Sequence, residues 1–244
     1  MSILLEAPVF NLQASLEAAQ LGIDRLELCC NFPEGGETPS AGMLRFLKRE
    51  IDLPIFVMIR PRGGNFVYSS KELLVMKQDI QLLGDLGADG FVFGALDAQG
   101  SVNESACESL LRAAESRPCT FHRAFDAAAD LSVSLEKIIH LGFQRVLTSG
   151  GENALTEGLD KVMALLEQAK ERIIILPGGG LKAAHVSRLK ESGYLKEVHA
   201  SCKLAKPSDN QFVKPGLSFA GTPLDFSLNF GIDPHLVHEF KSVL

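Results

Sequence analysis

A chain of 244 residues, 46% of them hydrophobic, is long enough for one large core, and a net charge of -6 with no basic run excludes the electrostatic footprint of nucleic-acid binding. The five cysteines, Cys29, Cys30, Cys107, Cys119 and Cys202, are odd in number and scattered, so they form no disulfide framework and suit a reducing cytoplasm. The opening MSILLEAPVF lacks a positive leader region, and no later segment approaches the roughly 20 uncharged apolar residues that span a bilayer, so neither export nor membrane insertion is expected.

Eight short apolar runs follow one another along the chain: ILLEAPVF, RLELC, IFVMI, GFVFG, CTFH, RVLTS, IIILP and EVHAS. Most are nearly continuous in Val, Ile, Leu and Phe, as parallel strands covered on both faces must be. Between them lie segments with apolar residues at helical spacing, such as Leu73, Leu74, Met76, Ile80, Leu83 and Leu86. Ser69 with Glu72, and Ser101 with Glu104, are spaced as capping boxes for two of these helices. The segments LGIDRLEL, LGADGFVF, LGFQRVLT and SGYLKEVH form a weak repeat. Each sets a glycine where a helix ends in a left-handed cap just before a strand.

Eight alternating strand and helix units with no two-strand hairpin signal predict a TIM (β/α)8 barrel. A doubly wound open sheet is the alternative, but its usual Gly-rich turn after the first strand is missing. The barrel occupies residues 1–202. Residues 203–244 form a long loop and a closing helix, DPHLVHEFKSVL, within the same domain. The loop carries Phe212, Phe219, Phe226 and Phe230, which act as a lid or as tacks to the barrel wall.

A barrel places its active site at the C-terminal ends of the strands. The polar and Gly-rich segments NFPEGGETPS, RPRGGNFVYS, RAFD, TSGGEN and PGGG all follow strands. Alternation along each strand turns Leu26 and Leu28 to the helix layer, and Glu27 and Cys29 to the lumen, with Cys30 on the other side. The same parity sends Glu6, Pro8, Arg60, His122 and His199 inward, with Ser149 at the end of strand six. Glu6, Glu27, His122 and His199 are therefore the candidate acid–base groups. A structural alternative pairs Glu6 and Glu27 with Arg60 and Arg123. Arg60 and Arg62 beside two glycines, Arg123, Ser149 and Gly150, and the triplet Gly178, Gly179 and Gly180 suit a small carboxylate or phosphate ligand.

For a metal, CxxC spacing is absent, and Cys29 is the one thiol placed in the lumen beside His and Glu. Cys107 and Cys119 read as core, and Cys202 lies on the loop face.

The strings DRLELC, GGETPS, PIFVMIRPRGGNFVYS, TFHRAFD, GFQRVLTSGG and PGGGL resemble, in order and spacing, the CutC family of so-called copper homeostasis proteins. The similarity spans roughly Leu4 to Ser201. The resemblance implies a cytoplasmic TIM barrel with a role in copper handling, and a Cu(I) contact at Cys29, the cysteine that matches the family's ELC. The family's strand-one cysteine is replaced here by Pro8, and Cys202 departs from the usual HASAR. Beside this copper reading stands that of an enzyme on a small phosphorylated or carboxylated metabolite. A homo-oligomer is compatible with either, and no nucleic-acid or membrane partner is expected.

Overall fold

The computed structural model describes residues 3–210, 212, 214 and 227–244. Strands β1 (Leu4–Val9), β2 (Arg25–Leu28), β3 (Ile55–Met58), β4 (Gly90–Phe93), β5 (Cys119–Phe121), β6 (Arg145–Thr148), β7 (Ile174–Pro177) and β8 (Glu197–His199) coincide with the eight apolar runs. All pair in parallel in the order β7-β6-β5-β4-β3-β2-β1-β8, which is a nearly closed (β/α)8 barrel. Helices α1 (Leu12–Gln20), α2 (Ala41–Glu50), α3 (Ser70–Asp85), α4 (Glu104–Ala114), α5 (Leu131–Leu141), α6 (Leu155–Ala169) and α7 (Ala183–Lys190) connect them, and α8 (Pro234–Val243) closes the chain.

The main apolar core lies between the strands and the helix ring. Leu26, Leu28, Val57, Phe91 and Val146 of the sheet are fully buried against Met76, Leu110, Leu135 and Val162 of the helices. The repeat glycines Gly22, Gly87, Gly142 and Gly193 all have φ between 73° and 96°, the left-handed conformation that a Cβ disfavours. Ser69 and Glu72 form the expected capping box of α3. The expected box at Ser101 is not formed, because Asn103 is the cap of α4 and its side chain accepts from Ala106 N.

The long C-terminal loop also differs from expectation. Its two ends pair as an antiparallel ribbon, β9 (Lys203–Pro207) with β10 (Leu228–Ile232). The ribbon has no apolar alternation strong enough to read, and it is held from outside itself. Glu17 on α1 accepts from Lys206 Nζ and from the backbone of Ile232, and Phe230 packs 5.3 Å from Phe32. Phe212 is exposed, while Phe219 and Phe226 lie outside the described residues. Among the described residues no helix is long and apolar enough to cross a membrane.

Candidate functional site

Side-chain alternation along the strands delivers a continuous chain of polar groups to the lumen. Arg25 of β2 binds Glu6 of the neighbouring β1 and Glu197 of β8, and Arg145 of β6 binds the same Glu197 at 2.8 Å. Both guanidinium groups lie over the ring of Phe56, at 4.7 and 4.9 Å from its centroid. Glu6 Oε1 lies 2.7 Å from His199 Nδ1, and His199 Nε2 lies 3.9 Å from Glu27 Oε2. Cys29 Sγ then donates to that same Glu27 oxygen at 3.6 Å.

Apart from the partly buried Arg145 the chain is buried, and its charges sort the proton affinities. Burial works to raise the Glu6 carboxyl, but Arg25 and then His199 outweigh it and hold the group at about 2. An ionised carboxylate at 2.7 Å accepts, so Nδ1 of His199 carries the hydrogen. Burial lifts Glu27 to about 7, with the attraction of His199 pulling down and the charge of Glu6 pushing up. Burial lowers His199, but Glu27 and Glu6 together raise it above its ordinary value. Two neighbouring carboxyl groups thus have opposite habits. Glu6 stays ionised, whereas Glu27 is poised to hold or release a proton near neutrality.

His122 follows β5 and is 3% exposed. Burial and then the charge of Arg60 push it down to about 3, so it is a neutral imidazole. Its Nδ1 accepts the backbone N–H of Ala124, which leaves the hydrogen on Nε2. Among the described residues that Nε2 has no partner, and neither has Oε1 of Glu27. Buried polar atoms of this kind are rare and call for an occupant. Glu27, His122 and His199 all line one cavity of about 780 Å³ at the C-terminal ends of the strands, walled by Phe10, Phe66, Leu147 and Phe240.

The remaining candidate residues divide by what they touch. Arg60 lines the cavity, yet its terminal nitrogens donate to the carbonyls of Glu34, Gly36 and Gly64, so it clasps two loops and does not neutralise Glu6 or Glu27. That pairing expectation is corrected: Arg25 pairs with Glu6, Arg145 with Glu197, and among the described residues no arginine pairs with Glu27. Arg62 turns away to Glu72 and to its own loop carbonyls, outside the cavity. Arg123 pairs with Asp126 and reaches Ser149 Oγ. Asp126 is the hub of this corner, accepting from Thr148 Oγ1 and from the backbone of Ser149 and Gly151. Gly150 donates to Thr148 Oγ1 and packs against Gly158, so it serves the turn. Gly178 lies against His199, and Gly179 and Gly180 line the cavity.

Cys29 faces inward and Cys30 outward to the carbonyl of Thr38, so the doublet does not chelate. Cys29 and Met58 share a small lumen cluster. Cys107 and Cys119 are buried in α4 and β5, and Cys202 is buried at the end of β8 with Glu239 and Asp233 near it. Among the described residues the one group of three metal-binding side chains is Glu6, Glu27 and His199.

The sequence profile of the CutC family matches residues 3–204. The chain belongs to the CutC family. It is 44% identical to the human copper homeostasis protein cutC homolog over 209 residues, which is 86% of this chain and 77% of the relative. A CutC family protein of Porphyromonas gingivalis is 43% identical over 213 residues, 87% of this chain and 86% of the relative. The crystal structure of CutC from Streptococcus agalactiae superposes with a TM-score of 0.76 at 36% identity, covering 82% of this chain and 99% of that one. The family match ends before β10 and α8, so the cavity wall supplied by Leu236, Glu239 and Phe240 stands outside the matched segment.

Proposed function

We propose that this CutC-family chain serves copper homeostasis, the role in the name of its human relative, as a cytoplasmic enzyme acting on a small anionic metabolite. Five unpaired cysteines suit the reducing compartment. The observation that carries the catalytic part is Glu27: a buried carboxyl lining the cavity, pushed to about 7, with Oε1 unpartnered. A group so placed takes a proton from a bound molecule and returns it near neutral pH. His199, fixed by Glu6, lies on its other side to share that proton. His122 donates a hydrogen bond from a neutral ring, as polarising a carbonyl or hydroxyl requires.

The test is a panel of small phosphorylated and carboxylated metabolites screened by thermal shift, with hits assayed for proton exchange in D2O. At least one compound is expected to stabilise the wild type and exchange, with exchange lost in Glu27→Gln. A panel without a single stabilising compound would overturn the reading.

One observation favours direct Cu(I) contact as a second reading: Cys29 and the Met58 thioether, two soft donors, sit together on the lumen wall. The donor set fits one thiolate and one thioether, not a pair of thiolates. Burial and then Glu27 hold the Cys29 thiol well above its usual range, so binding has to displace its proton. About one Cu(I) per chain, lost in Cys29→Ser, is expected in a competition titration. Unchanged affinity in that variant would sink this reading.

A further inference from the structure

We propose that the cavity takes a phosphate monoester, with the phosphate seated where the loops after β5 and β7 meet the N-terminus of α7. This rests on the acid–base reading above and adds the substrate class to it.

Arg123 is the first component. Its Nε is fixed on Asp126 at 2.7 Å, and Nη2 is fixed on Ser149 Oγ and the Glu152 carbonyl. Its Nη1 has no protein partner among the described residues, and the side chain lines the cavity. A guanidinium held at two nitrogens with a third left over is a preorganised anion donor.

Gly179 and Gly180, with φ of 75° and 78°, bring the backbone against that guanidinium. A Cβ built on Gly179 would stand 3.0 Å from Arg123 Cζ and 3.1 Å from Nη1, so a side chain there would crowd the donor. Beyond the turn, the backbone N–H groups of Gly180, Leu181, Ala183 and Ala184 find no acceptor among the described residues. The last two open α7 and point along its dipole. Exposed Lys182 adds a charge at the same rim. This number of convergent donors matches the three terminal oxygens of a phosphate better than the two of a carboxylate.

The helix terminus does not stand alone. His122 is 97% buried, lines the same cavity, and carries an unpartnered Nε2. Spacing links it to the proposed chemistry. Gly178 packs on His199, with its built Cβ 3.1 Å from the histidine Cβ, while Gly179 packs on Arg123. Two consecutive residues of one turn thus touch the acid–base histidine and the proposed phosphate donor. Glu239 on α8, which shares a neighbouring hollow with Ala183 and Ala184, is the opposing charge beside the helix terminus.

The experiment titrates inorganic phosphate into the full chain by calorimetry and thermal shift, with acetate as the control. Phosphate is expected to bind and stabilise the wild type, and acetate to do neither. Arg123→Ala should weaken phosphate about tenfold, the worth of one charged hydrogen bond. That variant also removes contacts to Asp126 and Ser149, so two exposed positions carry the test independently: Lys182→Ala should weaken phosphate and Glu239→Gln should tighten it. Equal affinity in wild type and all three variants would place the ion elsewhere and end the proposal. Wild type that ignores phosphate, while metabolite hits dependent on Glu27 persist, would overturn the substrate class and leave the acid–base reading standing.

Discussion

His199 Nδ1 lies 2.7 Å from Glu6 Oε1, a contact made by register partners on the adjacent strands β8 and β1. It fixes the ring so that Nε2 turns toward Glu27. The carboxylate that does this is itself held by Arg25, so the orientation of one histidine depends on an ion pair on its far side.

Glu6→Gln therefore acts twice. It removes the acceptor that sets the His199 tautomer, and it leaves Arg25, 3% exposed, with only Glu197 against its charge. Breaking a buried pair at one partner costs about 3–5 kcal/mol. Urea unfolding should show a loss of this size with an unchanged slope. A loss under about 1 kcal/mol, the range of surface pairs, would mean that the ion pair is not buried as described.

Glu27 gives the molecule a signature in pH. Its folded value near 7 lies above the ordinary 4.5, so between these values the folded chain holds more protons than the unfolded one. The stability from this group is complete below 4.5 and is lost as pH rises through 7. His199, also raised, works in the same direction. Melting temperatures of wild type and Glu27→Gln should lie together near pH 4.5, where both side chains are neutral in the fold, and diverge toward pH 7 as the wild type falls faster than the variant. Parallel curves would show that Glu27 titrates as an ordinary carboxylate.

How much of this was legible in the sequence depends on which end of a strand is considered. Parity placed Glu6, Glu27 and His199 in the lumen, and the strand-tip rule placed His122 and Arg123 at the mouth. The same parity applied two or four residues upstream gives Arg25 from Glu27, Arg145 from Ser149 and Glu197 from His199. Those three begin strands, where a charge reads as a solvated end, and only closure of the barrel brings them together. Asp126 was written in RAFD three residues from Arg123, yet its three other partners, Thr148, Ser149 and Gly151, come from β6 and its loop, and no local spacing announces them. The β9–β10 ribbon stayed hidden because Glu17 and Phe32, far earlier in the chain, hold it.

The cysteines should separate cleanly by reactivity. Cys29, Cys107, Cys119 and Cys202 are at most 3% exposed, and burial raises all four thiols. Cys30 is partly exposed. Native protein treated with a thiol reagent should therefore label once, at Cys30, with the other four released only by unfolding. Rapid labelling of Cys29 in the native state would show the lumen wall opening, and peptide mapping of the labelled protein distinguishes the two.

Gly90 tests the packing that keeps the polar chain in place. It faces Phe56 across the β3–β4 ladder, and a Cβ there would meet the ring at 2.6 Å and the Pro118 carbonyl at 2.7 Å. Neither neighbour can yield easily, since the carbonyl is backbone and the ring, 4% exposed, is in contact with both Arg25 and Arg145. Gly90→Ala should cost about 1–3 kcal/mol through overpacking, although alanine gains in unfolded-chain entropy. Because the displaced ring carries both guanidinium groups, the pH dependence attributed to Glu27 should shift as well. A variant with wild-type stability in urea and an unaltered pH profile would show that Phe56 is not held in place by its contacts with the two arginines.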